Sequence, residues 1–126
     1  MSLRTPLGKV RGLGAAREGS GHWWAQRLTA LALAPLSLVF VALVMMFRGA
    51  GHAEAVTLIR NPLAAIALLL FIVAGFHHLK LGLQVVIEDY VHHECVKIIS
   101  LAALTMASIA LAVACIFAVL KIALGS

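Results

Sequence analysis

Residues 62–90 read PLAAIALLLFIVAGFHHLKLGLQVVIEDY, and the fold turns on what kind of segment this is. From Pro62 to Phe76 every side chain is apolar, with no polar stripe of the kind a surface helix shows. At a rise of about 1.5 Å per residue, about 20 residues cross a hydrocarbon core roughly 30 Å thick. Pro62 to about Ile87 is therefore long enough to span a bilayer. The second half is less simple. His77-His78 and Lys80 interrupt it, and Glu88-Asp89-Tyr90 close it. A purely structural span needs none of these groups, because ionisable residues in hydrocarbon are costly.

Two more apolar stretches flank this one, from about Leu28 to Phe47 and from about Ile98 to Leu124. The chain has 126 residues, 63% of them hydrophobic, and a mean hydropathy of +1.04. A soluble domain of this size could not bury that much apolar surface. The expected fold is an all-α membrane protein of three transmembrane helices. A basic tail covers residues 1–27, and the three-helix domain covers residues 28–126. Pro35 should bend the first span, and Arg48-Gly49-Ala50-Gly51 should end it. A short polar loop then leads to Asn61-Pro62, a suitable N-cap and first helical position. Glu88 to Lys97 reads as a polar turn. In the third span Ala102, Ala103, Ala107, Ser108, Ala110, Ala112 and Ala114 allow close helix–helix packing.

The net charge of +5 is not a nucleic-acid footprint, since five of the ten basic residues precede the first span. Cys95 and Cys115 are too far apart for a zinc or disulfide framework. The apolar segment after the tail is too long for a signal peptide's core, so it reads as a retained helix. Three spans put Arg4, Lys9, Arg11, Arg17, Arg27 and Lys97 on one side, and Arg48, Arg60 and Lys121 on the other. That bias places the N-terminus in the cytoplasm.

Helical spacing separates the two histidines. His78 and Asp89 lie on nearly the same face, about 16 Å apart along the axis. Gly82 shares that face one turn from His78, which leaves room for a flat macrocycle near the backbone. His77 points about 100° away, so His78 is the better ligand candidate. At this stage a cofactor ligand and a histidine bonded across the bundle are equally good readings of it. Glu88 and Asp89 sit unfavourably at a helix C-terminus. Tyr90 is an interfacial anchor or, beside Asp89, a phenol donor to a carbonyl-bearing ligand. On the same side of the membrane the first span opens with His22-Trp23-Trp24-Ala25-Gln26-Arg27-Leu28-Thr29-Ala30. Arg27 either snorkels to lipid phosphate or, lying opposite Asp89-Tyr90, meets a buried anion.

Together, His22-x4-Arg27-x-Thr29-Ala30, His78-x3-Gly82 and Asp89-Tyr90, with three spans and this length, resemble one family. It is the smaller hydrophobic membrane-anchor subunit (the SdhD type) of succinate dehydrogenase, respiratory complex II. The resemblance covers most of the chain and implies half of a heterodimeric anchor bundle. A b-type haem would be shared with a second, cytochrome b-type anchor subunit. It further implies His78 as an axial ligand of the haem iron, Gly82 as haem packing, and Arg27 near the haem propionates and quinone pocket. Tyr90 would hydrogen-bond ubiquinone, with Asp89 as its partner. The anchor would dock an iron–sulfur subunit fed by a succinate-oxidising flavoprotein subunit, in a bacterial cytoplasmic membrane. The polypeptide alone would not be an enzyme. His77, Lys80, His92 and His93 are not part of the pattern and take no role from it. The alternatives are the anchor of a quinol-oxidising fumarate reductase, and a small three-helix transporter or scaffold without haem.

Overall fold

The computed structural model describes residues 5–7 and 17–125; Arg4, Lys9 and Arg11 of the basic tail lie outside the described residues. Among the described residues four helices follow in order: α1 (Arg17–Phe47), α2 (His52–Arg60), α3 (Pro62–Tyr90) and α4 (Glu94–Leu124). Three of them are long and apolar enough to cross a membrane, over Ser20–Phe47, Pro62–Tyr90 and Glu94–Leu124, with hydropathies of 2.5, 2.0 and 2.5. The chain is a multi-pass, all-helical membrane protein. Each long helix exceeds the roughly 30 Å of hydrocarbon, so its ends reach the polar interfaces.

The local chemistry explains the boundaries. Pro35 sits inside α1, which continues to Phe47. The helix stops where Gly49 turns to φ +81°, a left-handed conformation that favours glycine. There Arg48 N–H donates to Met45 O at 3.3 Å and Ala50 N–H to Phe47 O at 3.0 Å. Asn61 caps α3 as expected: its side-chain oxygen accepts from Leu63 N–H at 2.9 Å, and Pro62 takes the first turn.

Four boundaries differ from the sequence reading. Helix α1 begins at Arg17, within the expected tail and eleven residues before Leu28, because a helix needs backbone hydrogen bonds and not apolar side chains. Residues 52–60 form a helix where a loop was expected. Gly51 N–H donates to Glu54 Oε2 at 3.1 Å, which holds the first turn. Ala55, Val56, Leu58 and Ile59 are half-buried, as α2 packs on α4 and α3. Its last residue, Arg60, donates to Ile122 O (3.4 Å) and Gly125 O (2.9 Å), and so satisfies carbonyls at the end of α4. At the other end of the bundle α3 runs on through Glu88-Asp89-Tyr90 and α4 begins at Glu94. The turn between them shrinks to residues 91–93. Hydropathy marks where polar side chains begin, whereas a helix ends where its backbone hydrogen bonds end. Here that point is Val91 N–H to Ile87 O, at 2.9 Å.

The centre of the bundle is α3, against which α1 and α4 both pack. Its seam with α1 is antiparallel, with Leu33 beside Gly75 and Phe40 stacked on Phe71, ring centroids 4.4 Å apart and planes 6° apart. Leu43, Ala64, Ala65 and Leu81 are buried, as is one polar residue, Ser108. Of the seven small residues expected to pack, Ser108 and Ala112 are covered, and Ala102, Ala103, Ala107, Ala110 and Ala114 are exposed. The expected close packing is thus confined to one side of α4, because the alanines are spread around the whole helix and one neighbour can cover only one face.

Asn61→Ala should cost about 1 kcal/mol by orphaning the first amide groups of α3, and Asn61→Ser should restore most of it. The thermal midpoint of the detergent-solubilised protein measures both; equal midpoints for Asn61→Ala and the parent would refute the cap's contribution.

Candidate functional site

His78 is half-buried and turns toward α1. Its Nδ1 lies 3.0 Å from Thr29 Oγ1. The same hydroxyl is 2.7 Å from Ala25 O and 3.1 Å from Gln26 O. A threonine has one proton to give, and Ala25 O is its closest acceptor. With that proton directed at the carbonyl, the oxygen accepts from Nδ1–H, and in that tautomer the free lone pair is on Nε2. A ring held at one nitrogen presents the other in a fixed direction.

Around His78 is a cavity of about 210 Å³, whose other walls are Trp23, Gln26, Arg27 and Ala30. Positions 23, 26, 27 and 30 follow helical spacing, so one stripe of α1 lines the cavity. The Arg27 guanidinium lies over the Trp23 ring, 5.3 Å from its centroid, a cation–π contact that steers the charge. One turn back, His22 Nε2 is buried without a hydrogen-bond partner among the described residues. Gly82 follows His78 by one turn, and a Cβ built on it would meet nothing within 4 Å. The backbone there is open to a close-lying flat group.

His77 is placed elsewhere. It is exposed and lines a different cavity, between α3 and α4, with Lys80 and Ser108. The two neighbouring imidazoles therefore serve different faces. Asp89 and Tyr90 are exposed, Tyr90 at 77%, on the last turn of α3, while Glu88 accepts from Gln84 Nε2 at 3.0 Å. Tyr90 lies twelve residues from His78 along α3, about 18 Å.

These placements refine the expected grouping. Thr29 is level with His78, so Arg27, two residues away, belongs to the His78 cavity and not to the depth of Asp89-Tyr90. Loop topology tells which side of the membrane a residue is on; it carries no depth. Thr29 was in the recognised pattern without a role, and Gln26 was overlooked. The 23/26/27/30 stripe is the signal that marks Gln26 as a neighbour of the cavity; Thr29 lies outside it, and its partner follows from the register of α1 against α3. Among the described residues no three His, Cys, Asp or Glu side chains are grouped to hold a metal ion. Among the described residues, the imidazole that lines this cavity is that of His78.

Comparison with known proteins follows the same line. Residues 1–120 match the family described as "Succinate dehydrogenase/Fumarate reductase transmembrane subunit". The "Succinate dehydrogenase hydrophobic membrane anchor subunit" of Rickettsia bellii is 32% identical over 117 residues, covering 93% of this chain and 94% of its own. The protein of the same description from Paracoccus denitrificans is 32% identical over 90 residues, covering 71% and 70%. The "Succinate dehydrogenase membrane anchor subunit" of Reclinomonas americana is 34% identical over 88 residues, covering 68% and 73%. No solved structure matches the chain.

Replacing the hydroxyl by a methyl in Thr29→Val should free the His78 ring at a cost of about 1 kcal/mol, while Thr29→Ser should keep it fixed. The ¹⁵N shifts of selectively labelled His78 report the change; identical shifts in the parent and Thr29→Val would show that the hydroxyl does not set the tautomer.

Proposed function

The chain belongs to the succinate dehydrogenase/fumarate reductase transmembrane-subunit family, and from that premise we propose that its His78 cavity is one half of a b-type haem site and its Asp89-Tyr90 end part of a quinone site. As a subunit it is a hydrophobic membrane anchor of the succinate dehydrogenase type, a non-catalytic component of that enzyme. The transporter or scaffold alternative gives way to this family. The fumarate reductase alternative differs only in the direction of the reaction, and the relatives' names favour succinate dehydrogenase.

The observation that carries the haem reading is the bond between Thr29 Oγ1 and His78 Nδ1, 3.0 Å long. It leaves Nε2 as the donor atom and fixes its aim, which is what an axial ligand needs. The surrounding residues fit the group. The open backbone at Gly82 accommodates a flat ring. Arg27, at the same depth as His78 and steered by Trp23, would meet a propionate. Haem iron, when bound, supplies a one-electron carrier whose potential its ligands and nearby charges tune. The second axial ligand would come from the second anchor subunit, since this chain contributes one imidazole to the site.

The quinone reading rests on chemistry at the inner end of α3. The Tyr90 hydroxyl is exposed there and would donate to a ubiquinone carbonyl, while the Asp89 carboxylate would relay a proton toward the reduced ring. Succinate oxidation itself belongs to the flavoprotein and iron–sulfur subunits, which would dock on this end. The charge bias of the tail and loops supports an N-terminus in the cytoplasm, with the chain in a bacterial cytoplasmic membrane.

In the purified complex, His78→Ala should abolish or strongly shift the dithionite-reduced haem bands and His77→Ala should leave them nearly unchanged; equal spectra in the two variants would sink the assignment. Tyr90→Phe should lower succinate–quinone reductase turnover about tenfold, the loss expected for one hydrogen bond to substrate, with haem content and assembly intact. Unchanged quinone kinetics would remove Tyr90 from the site. Comparing quinol–fumarate with succinate–quinone turnover in the same preparation sets the direction.

A further inference from the structure

Lys80 carries an ionisable amine at a depth where such groups need a reason. It lies ten residues from the inner end of α3, about 15 Å along the axis, and is half-buried. With His77 and Ser108 it lines a cavity of about 330 Å³ between α3 and α4, walled also by Val73, Phe76 and Ala112. Lys80 and His77 are three residues apart and share a helix face. Ser108 is the buried polar residue of the core, 8% exposed. None of the α1 residues around His78 reaches this cavity, so the two sites occupy different sides of α3.

Depth restricts what can answer the charge. Phe76, in the cavity wall, is the midpoint of the span Pro62–Tyr90. Lys80 is four residues, about 6 Å, from that midpoint, so the edge of the hydrocarbon lies about 9 Å from its backbone along the axis and lipid phosphate lies beyond it. The acidic residues of the chain are Glu18, Glu54, Glu88, Asp89 and Glu94, and each lies toward one end of the bundle. The nearest along α3, Glu88, is eight residues from Lys80, about 12 Å, and is already bonded to Gln84. A second copy of this chain in the same orientation would bring its acids to the same wrong depths. Ile109, on the rim, is 57% exposed, so the cavity is open sideways.

We propose that Lys80, His77 and Ser108 form an intramembrane site for a carboxylate carried at mid-bilayer depth by a transmembrane helix of a different polypeptide. Lys80 supplies the charge, and the imidazole and the hydroxyl supply further donors, enough for both oxygens of one carboxylate. This site is independent of whether His78 carries iron.

A membrane-permeant carbodiimide applied to native membranes tests it. The reagent activates a buried carboxyl group, the unprotonated Lys80 amine displaces the resulting urea, and an amide forms; the water lost on coupling ends in the urea. The expected product is a peptide joining Lys80 to an Asp or Glu of a second transmembrane polypeptide, absent from Lys80→Arg, which keeps the charge but does not couple. Lys80→Met should lower copurification of that polypeptide at least about tenfold, while Lys80→Arg retains it. Equal membrane levels of the two variant chains separate loss of the partner from loss of fold. The proposal is overturned by the absence of a Lys80 adduct, by an adduct to a carboxylate of this chain, or by undiminished copurification with Lys80→Met.

Discussion

Hydrocarbon supplies no hydrogen bonds, and that single deficiency dictates how α3 is built. Its backbone groups are satisfied inside the helix, and the first of them, left over at the start, by Asn61. Its polar side chains turn toward neighbours: His78 to the Thr29 hydroxyl of α1, His77 and Lys80 to the groove shared with α4. The apolar residues are released from any duty to hide. Leu63, Ile66, Leu70 and Val73 are among the many large side chains left exposed, which in water would be a liability and in lipid is ordinary solvation. Helix association then rests on fitted surfaces such as the Phe40–Phe71 stack and the small Ala64 and Ala65, since lipid is as apolar as the side chains.

Much of this was legible before any coordinates. The three spans follow from run length and hydropathy, and the Asn61-Pro62 start from capping chemistry, because both are local properties of the chain. The helix ends at Tyr90 and Glu94 were not, since a hydropathy profile is blind to backbone hydrogen bonds that continue beneath polar side chains. Helix α2 was missed for another reason. Its stability comes from α4 and from the Arg60 clasp on Ile122 and Gly125, contacts some sixty residues away in sequence. The small residues of α4 show the converse error: small size permits close approach, but which of them meets a neighbour is a matter of helix rotation, and five of the seven expected to pack are exposed.

For the site, angular information survived translation into three dimensions and depth did not. The 100° step between His77 and His78 sends them to separate cavities. Arg27 joins His78 and not Tyr90, because the antiparallel seam of α1 and α3 sets which residues are level, and that register is a tertiary property. Thr29 could be seen in the sequence as a residue of interest, yet its task as the partner of Nδ1 depends on the same register.

Pro35 carries a mechanical consequence. It lies on α1 between the seam contact at Leu33 and the one at Phe40, and its ring removes one rung of the helix's own ladder. The helix therefore behaves as two stiff rods joined by a softer coupling. The C-terminal rod, through Phe40 and Leu43, is clamped into the aromatic seam and the buried core. The N-terminal rod bears Trp23, Gln26, Arg27 and Ala30 and is held to α3 by the Thr29–His78 bond. A change in the angle between the two halves would alter the width of the His78 cavity and leave the C-terminal seam undisturbed, so any compliance of α1 is felt on the side where His78 sits.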